Sequence, residues 1–216
     1  MTGLSALIVA CGIVRHVGLI EAIVRVESGG NPFALAVNGA VELVHAPRDR
    51  DEAAAMARWL AAHGYNFDAG LAQVNSANLA RFGLDTSSVF ERCANLRAAS
   101  RVLEECHERA LQHWDDEERA MAAALSCYNT GHLTRGLRNG YVTAVRAAVD
   151  SLAPGPNRDG SRGDEACHVW GRSARRNPAR GSGRARAAIG DTQRDEVFAM
   201  SLADAFATRS HEERVR

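Results

Sequence analysis

Lysine is absent: all 26 basic residues of this 216-residue chain are arginines. Chemistry that needs a lysine amine, such as a Schiff base or a Walker-type phosphate loop, is excluded. With the Ala-rich composition, this bias reads as codon usage rather than function. No apolar run reaches the roughly 18 residues that a membrane-crossing helix needs. No CxxC pair occurs among the five cysteines, at 11, 93, 106, 127 and 167, and no Cys/His cluster has zinc spacing. The eight histidines form neither an HExxH motif nor an i, i+4 pair. We therefore expect no metal site. A net charge is lacking too, because 26 acidic residues balance the arginines, so no overall field argues for nucleic acid or a membrane surface.

A secretory signal is hard to find. Leu4 to Val14 is apolar but short, and no arginine precedes it. Ile8-Val9-Ala10-Cys11 only faintly resembles a lipoprotein cleavage box, and Cys11 is expected inside the first helix of the domain. An odd cysteine count in an exported protein leaves one thiol unpaired or paired between chains. Cys11 and Cys106 read as buried apolar fillers.

What is present is a mostly helical pattern, with a 46% hydrophobic fraction sufficient for a core. Residues 18–27 place Leu19, Ile20, Ile23, Val24 and Val26 at helical spacing, and Ser28-Gly29-Gly30-Asn31-Pro32 ends that helix. Residues 33–46 suit a small hairpin around Asn38-Gly39. Residues 51–63 return to helix, stopped by Gly64. Further helices are expected over 71–82, 92–112, 117–128 and 139–151. After Leu152 the character changes. Residues 153–190 are rich in Pro, Gly, Ser and Arg, and carry eight arginines against Asp159, Asp164 and Glu165, a net of +5. Such composition reads as a disordered linker. Residues 191–216 form a short C-terminal segment whose part 191–207 is amphipathic. It is too short to be stable alone and is expected to dock on a partner. The expected organisation is a domain at 1–152, a linker at 153–190 and the segment 191–216.

Glu27 is the most informative residue. It closes a buried helix, where partial negative charge disfavours an ionised carboxylate. Apolar neighbours Ile23 and Val26 act in the same direction. Both raise the pKa, and a carboxylic acid still protonated near neutral pH suits protonation of a glycosidic oxygen. On position alone, an ordinary surface glutamate at a helix end is the simpler reading.

Four strings change that balance. IVRVESGGNPFALAVNG around Glu27 resembles the catalytic segment of lytic transglycosylases, in which a Glu-Ser pair follows a hydrophobic helix. Gly70-Leu71-Ala72-Gln73-Val74-Asn75 resembles the family's Gly-Leu-Met-Gln-Ile-Asn signature. Ala124 to Gly131, ALSCYNTG, resembles its Ala-x-x-Tyr-Asn-x-Gly signature, and Gly140-Tyr141-Val142 its closing Gly-Tyr-Val element. The VNG spacer, NFDAGLAQVNSAN and FERCANL further resemble the specialised VirB1-like transglycosylases of type IV secretion and conjugation systems. Ala72 and Val74 depart from the family's Met and Ile, which is expected to widen a groove slightly.

This resemblance implies an α+β lysozyme-like domain, helices around a substrate groove with a small hairpin to one side. It implies a periplasmic enzyme acting on peptidoglycan glycan strands, with type IV secretion or conjugation components reached through the C-terminal tail. No nucleic-acid partner is expected. Glu27 would act as acid and then as base, so no metal and no organic cofactor is expected. Gln73 and Asn75 would line the groove, Tyr128 would orient Glu27 or substrate, and Asn129 would support that loop. Ser28 would bond near the carboxylate, and Tyr141 is groove wall or core aromatic. For Asn75 and Asn129, capping of adjacent turns is about as well supported as sugar contact. Cys93 and Cys127 fall where these proteins often carry cysteine, which implies a Cys93–Cys127 disulfide. Asp68 is the one challenger for a second carboxylate, its simpler reading being a turn or helix N-cap.

Overall fold

A computed structural model describes residues 3–39 and 42–152. The expected linker and C-terminal segment, and with them Cys167, lie outside the described residues. These residues divide into two compact units that meet in sequence between Ser100 and Arg101.

The first unit contains α1 (Gly3–Ala10), α2 (Val17–Ser28), α3 (Arg50–Ala62), the start of α4 (Arg92–Leu111) and three short strands. Its core is made by the apolar faces that periodicity marks: Ile8 from α1, Leu19, Ile20, Ile23 and Val24 from α2, and Met56 and Leu60 from α3, all buried. Asp49 starts α3 by accepting a hydrogen bond from the Glu52 amide at 2.9 Å, the ordinary N-cap. The strands β1 (Leu35–Val37), β2 (Phe67–Ala69) and β3 (Val74–Asn75) form an antiparallel sheet in that order. Leu35 pairs with Ala69, Val37 with Phe67, and Ala69 with Val74. Side chains alternate across a sheet, so these five apolar residues share one face. Ala36, Asp68 and Asn75 share the other.

The second unit contains the rest of α4, α5 (Glu117–Thr130) and α6 (Tyr141–Leu152). Leu103, Met121, Leu125, Val142 and Val145 are buried within it. Ala110, Ala120 and Ala123 form a small-residue contact covered by Trp114 and Leu133.

Four expectations require correction. The hairpin at 33–46 does not form: β1 pairs with β2, and the Asn38 amide extends that ladder to Asn66 O at 2.9 Å. Pairing there buries Phe67 and Ala69, whereas Val44 beyond the turn is 62% exposed. The helix at 71–82 is replaced by β3 and two 3₁₀ turns, Ser76–Asn78 and Ala80–Phe82. Gly70 at φ +81° and Gln73 at φ +50° sit in the left-handed region and interrupt any helix. Cys11 lies just past α1, not within it.

The fourth correction concerns the disulfides. Cys93 bonds to Cys11 and Cys127 to Cys106, with Cα–Cα separations of 5.0 and 5.7 Å. Each sulfur forms one bridge, so the Cys93–Cys127 pairing is excluded, and Cys11 and Cys106 are not mere fillers.

Candidate active site

Glu27 is the penultimate residue of α2, partly exposed where the helix stops. Gly29, at φ +63°, caps that end by donating its N–H to Arg25 O, the left-handed C-cap that glycine permits. The Ser28 hydroxyl lies 2.6 Å from Leu71 O and 3.2 Å from Val24 O, and accepts the Gly30 N–H at 3.1 Å. Ser28 thus joins the end of α2 to the GLAQVN segment, and its proton is directed at backbone rather than toward solvent.

That segment is itself clamped. Asn95, on α4 and 1% exposed, donates to Ala69 O and Val89 O and accepts from the Ala72 N–H, each at 2.9 Å. A Cβ on Gly70 would lie 2.3 Å from Asn95 Nδ2 and 2.9 Å from Val89 O. Glycine is therefore required twice over, for its positive φ and for this approach. Gln73 holds its own left-handed conformation by donating from Nε2 to Gly70 O at 3.0 Å and Ala34 O at 3.1 Å. Its Oε1 accepts no hydrogen bond among the described residues, so an acceptor is available beside a strained backbone. Ala72 and Val74 are buried. Their departures from the family pattern therefore alter packing and widen no surface feature.

The polar face of the sheet carries a row of side-chain amides around one carboxylate. Asn75 donates to Asp68 Oδ1 at 2.8 Å, and Asn38 donates to Asp68 Oδ2 at 2.9 Å. Asn66 accepts from both, at 2.8 Å from Asn75 and 2.7 Å from Asn38. Asn75 Oδ1 also accepts the Ala77 N–H at 3.0 Å and so starts the first 3₁₀ turn. Asp68 lies in β2, not at a helix N-cap as its simpler reading had it. Burial pushes its carboxyl above the ordinary range, and the two amide donors pull partly back. No arginine or histidine pairs with it among the ion pairs of the described residues.

In the second unit, Tyr128 is half-buried and Asn129 exposed near the end of α5. Asn129 Oδ1 accepts from Asn139 Nδ2 at 2.7 Å, and Asn139 Oδ1 accepts the Tyr141 N–H at 3.0 Å. Asn129 is thereby tied to the start of α6, where Tyr141 is 7% exposed. Ser126, fully buried, donates to His132 O at 2.7 Å and accepts the Gly136 N–H at 2.8 Å. Thr130 adds a bond to Ser126 O at 2.8 Å. The ALSCYNTG string thus knits its own following loop.

Sequence reasoning missed Asn95, Asn66, Asn38 and Ser126 as organisers of these segments. The first three stand inside strings already recognisable (FERCANL, NFDAGL, AVNG), but Asn38 and Asn66 read as turn formers and Asn95 falls in a helix, where nothing local announces its bonds to distant backbone. The model of the family described as "Transglycosylase SLT domain" matches residues 15–147. The chain belongs to this family. That span includes all four motifs.

Among curated proteins, the type IV secretion system protein virB1 of Brucella abortus biovar 1 is 42% identical over 137 residues, 61% of this chain and 57% of that protein. Its counterpart in Brucella suis biovar 1 matches to the same extent. Protein virB1 of Rhizobium radiobacter is 32% identical over 170 residues, 76% of this chain and 70% of that protein. The chain thus spans a little over half the length of the Brucella relatives. No solved structure matches.

Among the described residues no helix is long and apolar enough to cross a membrane, and no cluster of His, Cys, Asp or Glu could hold a metal ion.

Proposed function

We propose that this SLT-family chain is a lytic transglycosylase that cleaves the β-1,4 bond between N-acetylmuramic acid and N-acetylglucosamine in peptidoglycan. The observation that carries the reading is the placement of Glu27 at the glycine-capped end of α2, fixed against the GLAQVN segment through Ser28. Glu27 protonates the bridging oxygen as a general acid. The resulting carboxylate takes the proton of the C6 hydroxyl as that oxygen attacks C1, closing a 1,6-anhydro ring. One carboxylate serves both steps, whereas water-dependent glycosidases use two, about 5–9 Å apart. Gln73, with its available Oε1, receives a sugar hydroxyl or amide N–H. By motif resemblance Tyr128 and Asn129 are assigned to the second unit's part in substrate binding, and Asn75 holds the segment that presents Gln73.

The Brucella relatives' names support a setting in type IV secretion. A chain related to virB1 proteins opens the wall locally, in the periplasm, for a type IV secretion or conjugation apparatus. Its residues after Leu152 recruit machinery components. Truncation after Leu152 tests recruitment: unchanged secretion with intact cleavage removes it.

Asp68 favours a second reading, a hydrolytic muramidase. A half-buried carboxylate held by amides and without a cation is the kind of group that polarises water or stabilises a cationic centre. A glycan-anchored scaffold without turnover is the third outcome. Mass spectrometry of products from purified peptidoglycan separates all three. Anhydromuropeptides lost in Glu27→Gln support the transglycosylase; reducing-end muramic acid that depends on Asp68 supports hydrolysis; bound glycan without products supports the scaffold.

A further inference from the structure

Where α3 ends, the first unit carries three aromatic rings that the mechanism does not use. Trp59 and His63 stack at 3.9 Å between centroids, 24° from parallel. Trp59 and Tyr65 stack at 5.8 Å and 16°. Backbone bonds anchor the group: His63 Nδ1 lies 2.8 Å from Trp59 O, and the Tyr65 N–H donates to Leu60 O at 2.9 Å. The buried apolar side chains of α3 are Ala53, Ala54, Met56, Ala57 and Leu60, and none of the three rings is among the buried core. His63 is exposed, and Trp59 and Tyr65 are partly so.

The polar tips are equally telling. Trp59 Nε1–H, the Tyr65 hydroxyl and His63 Nε2 form no hydrogen bond among the described residues. The large exposed apolar side chains, Val9, Val14, Val44, Leu111 and Leu137, all lie on other segments. The stack is therefore amphipathic rather than greasy: flat ring surface edged by donors and an acceptor. The next residue in sequence, Asn66, belongs to the amide row on the polar face of the sheet. Ring faces that pack against C–H groups, edged by groups that bond hydroxyls and acetamides, are the chemistry that recognises a sugar ring. A protein partner would instead favour an apolar centre from which charge and water are excluded.

We propose that the Trp59–His63–Tyr65 stack is a glycan-binding platform that holds a sugar of the substrate strand away from the bond being cleaved. This rests on peptidoglycan glycan being the substrate. Its rigid, pre-stacked rings lose little freedom on binding.

The test is co-sedimentation of the full-length Glu27→Gln protein with purified sacculi, which requires no turnover. Adding Tyr65→Ala or His63→Ala is expected to weaken binding roughly two- to tenfold, the range for one lost aromatic contact. Arg58→Ala, on an exposed position of the same helix, leaves it unchanged. Oligomers of N-acetylglucosamine compete for the Tyr65-dependent fraction. Unchanged affinity in both ring variants overturns the proposal, and so does competition by free stem peptide but not by the oligomers. If Tyr65→Ala melts early, the exposed His63 and the milder Tyr65→Phe decide. Stack-dependent sedimentation by a wild-type protein that releases no products would sink the cleavage reading and leave the platform standing.

Discussion

The two units hold their signature residues by different means. In the first, the GLAQVN segment and the sheet are fixed by side-chain amides, with Asn95 clamping one loop and Asn38, Asn66 and Asn75 encircling Asp68. In the second, Tyr128 and Asn129 ride on a helix that packs through Ala120, Met121, Ala123 and Leu125 and whose following loop closes over Ser126. Helix packing tolerates volume-conserving change, but a satisfied polar network fails when one member is removed. The chemistry assigned to Glu27 and Gln73 therefore stands on the less forgiving support.

The sharpest break in that comparison is functional. Glu27→Gln should reduce release of soluble muropeptides roughly a hundred- to ten-thousandfold, the range for loss of a general acid–base group. Tyr128→Phe, in the second unit, should leave measurable turnover. Equal losses from both would mean that the units contribute alike.

Next in size is Gly70→Ala. It forces a Cβ into Asn95 and Val89 O at a positive φ, and should cost about 2–4 kcal/mol in urea unfolding. Gly131→Ala caps α5 at φ +73° with nothing within 4 Å of its Cβ, and should cost about 1 kcal/mol.

The disulfides give a third contrast. Serine replacements at Cys11 and Cys93 open a span of 82 residues, against 21 for Cys106 and Cys127. Either loss should cost about 2–5 kcal/mol, and loop entropy makes the first larger by about 1 kcal/mol. Reversed order in calorimetry would point to native-state effects beyond chain entropy.

The smallest effect concerns pH. Asp68 has its carboxyl raised, chiefly by burial, so the folded state holds that proton more tightly than the unfolded chain. Its contribution to stability is fully present below the ordinary aspartate range and is lost as pH rises through the raised value. Glu52 runs the other way. The Arg48 backbone N–H and then its side chain hold the Glu52 carboxyl low, so its contribution is present above the ordinary glutamate range and lost as pH falls through the lowered value. Asp68→Ala should flatten the first dependence and leave the second intact, which melting curves across pH would reveal.

Legibility followed the same divide. The helices 17–28, 50–62, 92–111, 117–130 and 141–152 lie within a few residues of their expected bounds, because an apolar stripe at 3.6-residue spacing is a local signal. The sheet was not legible. β1 and β2 are three residues each and separated by a whole helix, so no short-range pattern announces their pairing. The GLAQVN segment reads as helix by its apolar spacing, yet backbone conformations at Gly70 and Gln73 override it. The signature strings located the candidate site, but not the asparagines that hold it. The bridges were misassigned because they depend on which turns face each other in space.

The connectivity of those bridges carries a consequence for how the chain matures. Of the three ways to pair four cysteines, this chain joins Cys11 to Cys93 and Cys106 to Cys127, first with second and third with fourth. A polypeptide emerging from its amino terminus into an oxidising compartment meets these partners in that order. Each newly arrived sulfur in turn finds its proper mate as the nearest predecessor still waiting. For these four cysteines, pairing in order of emergence already gives the bridges of the folded chain.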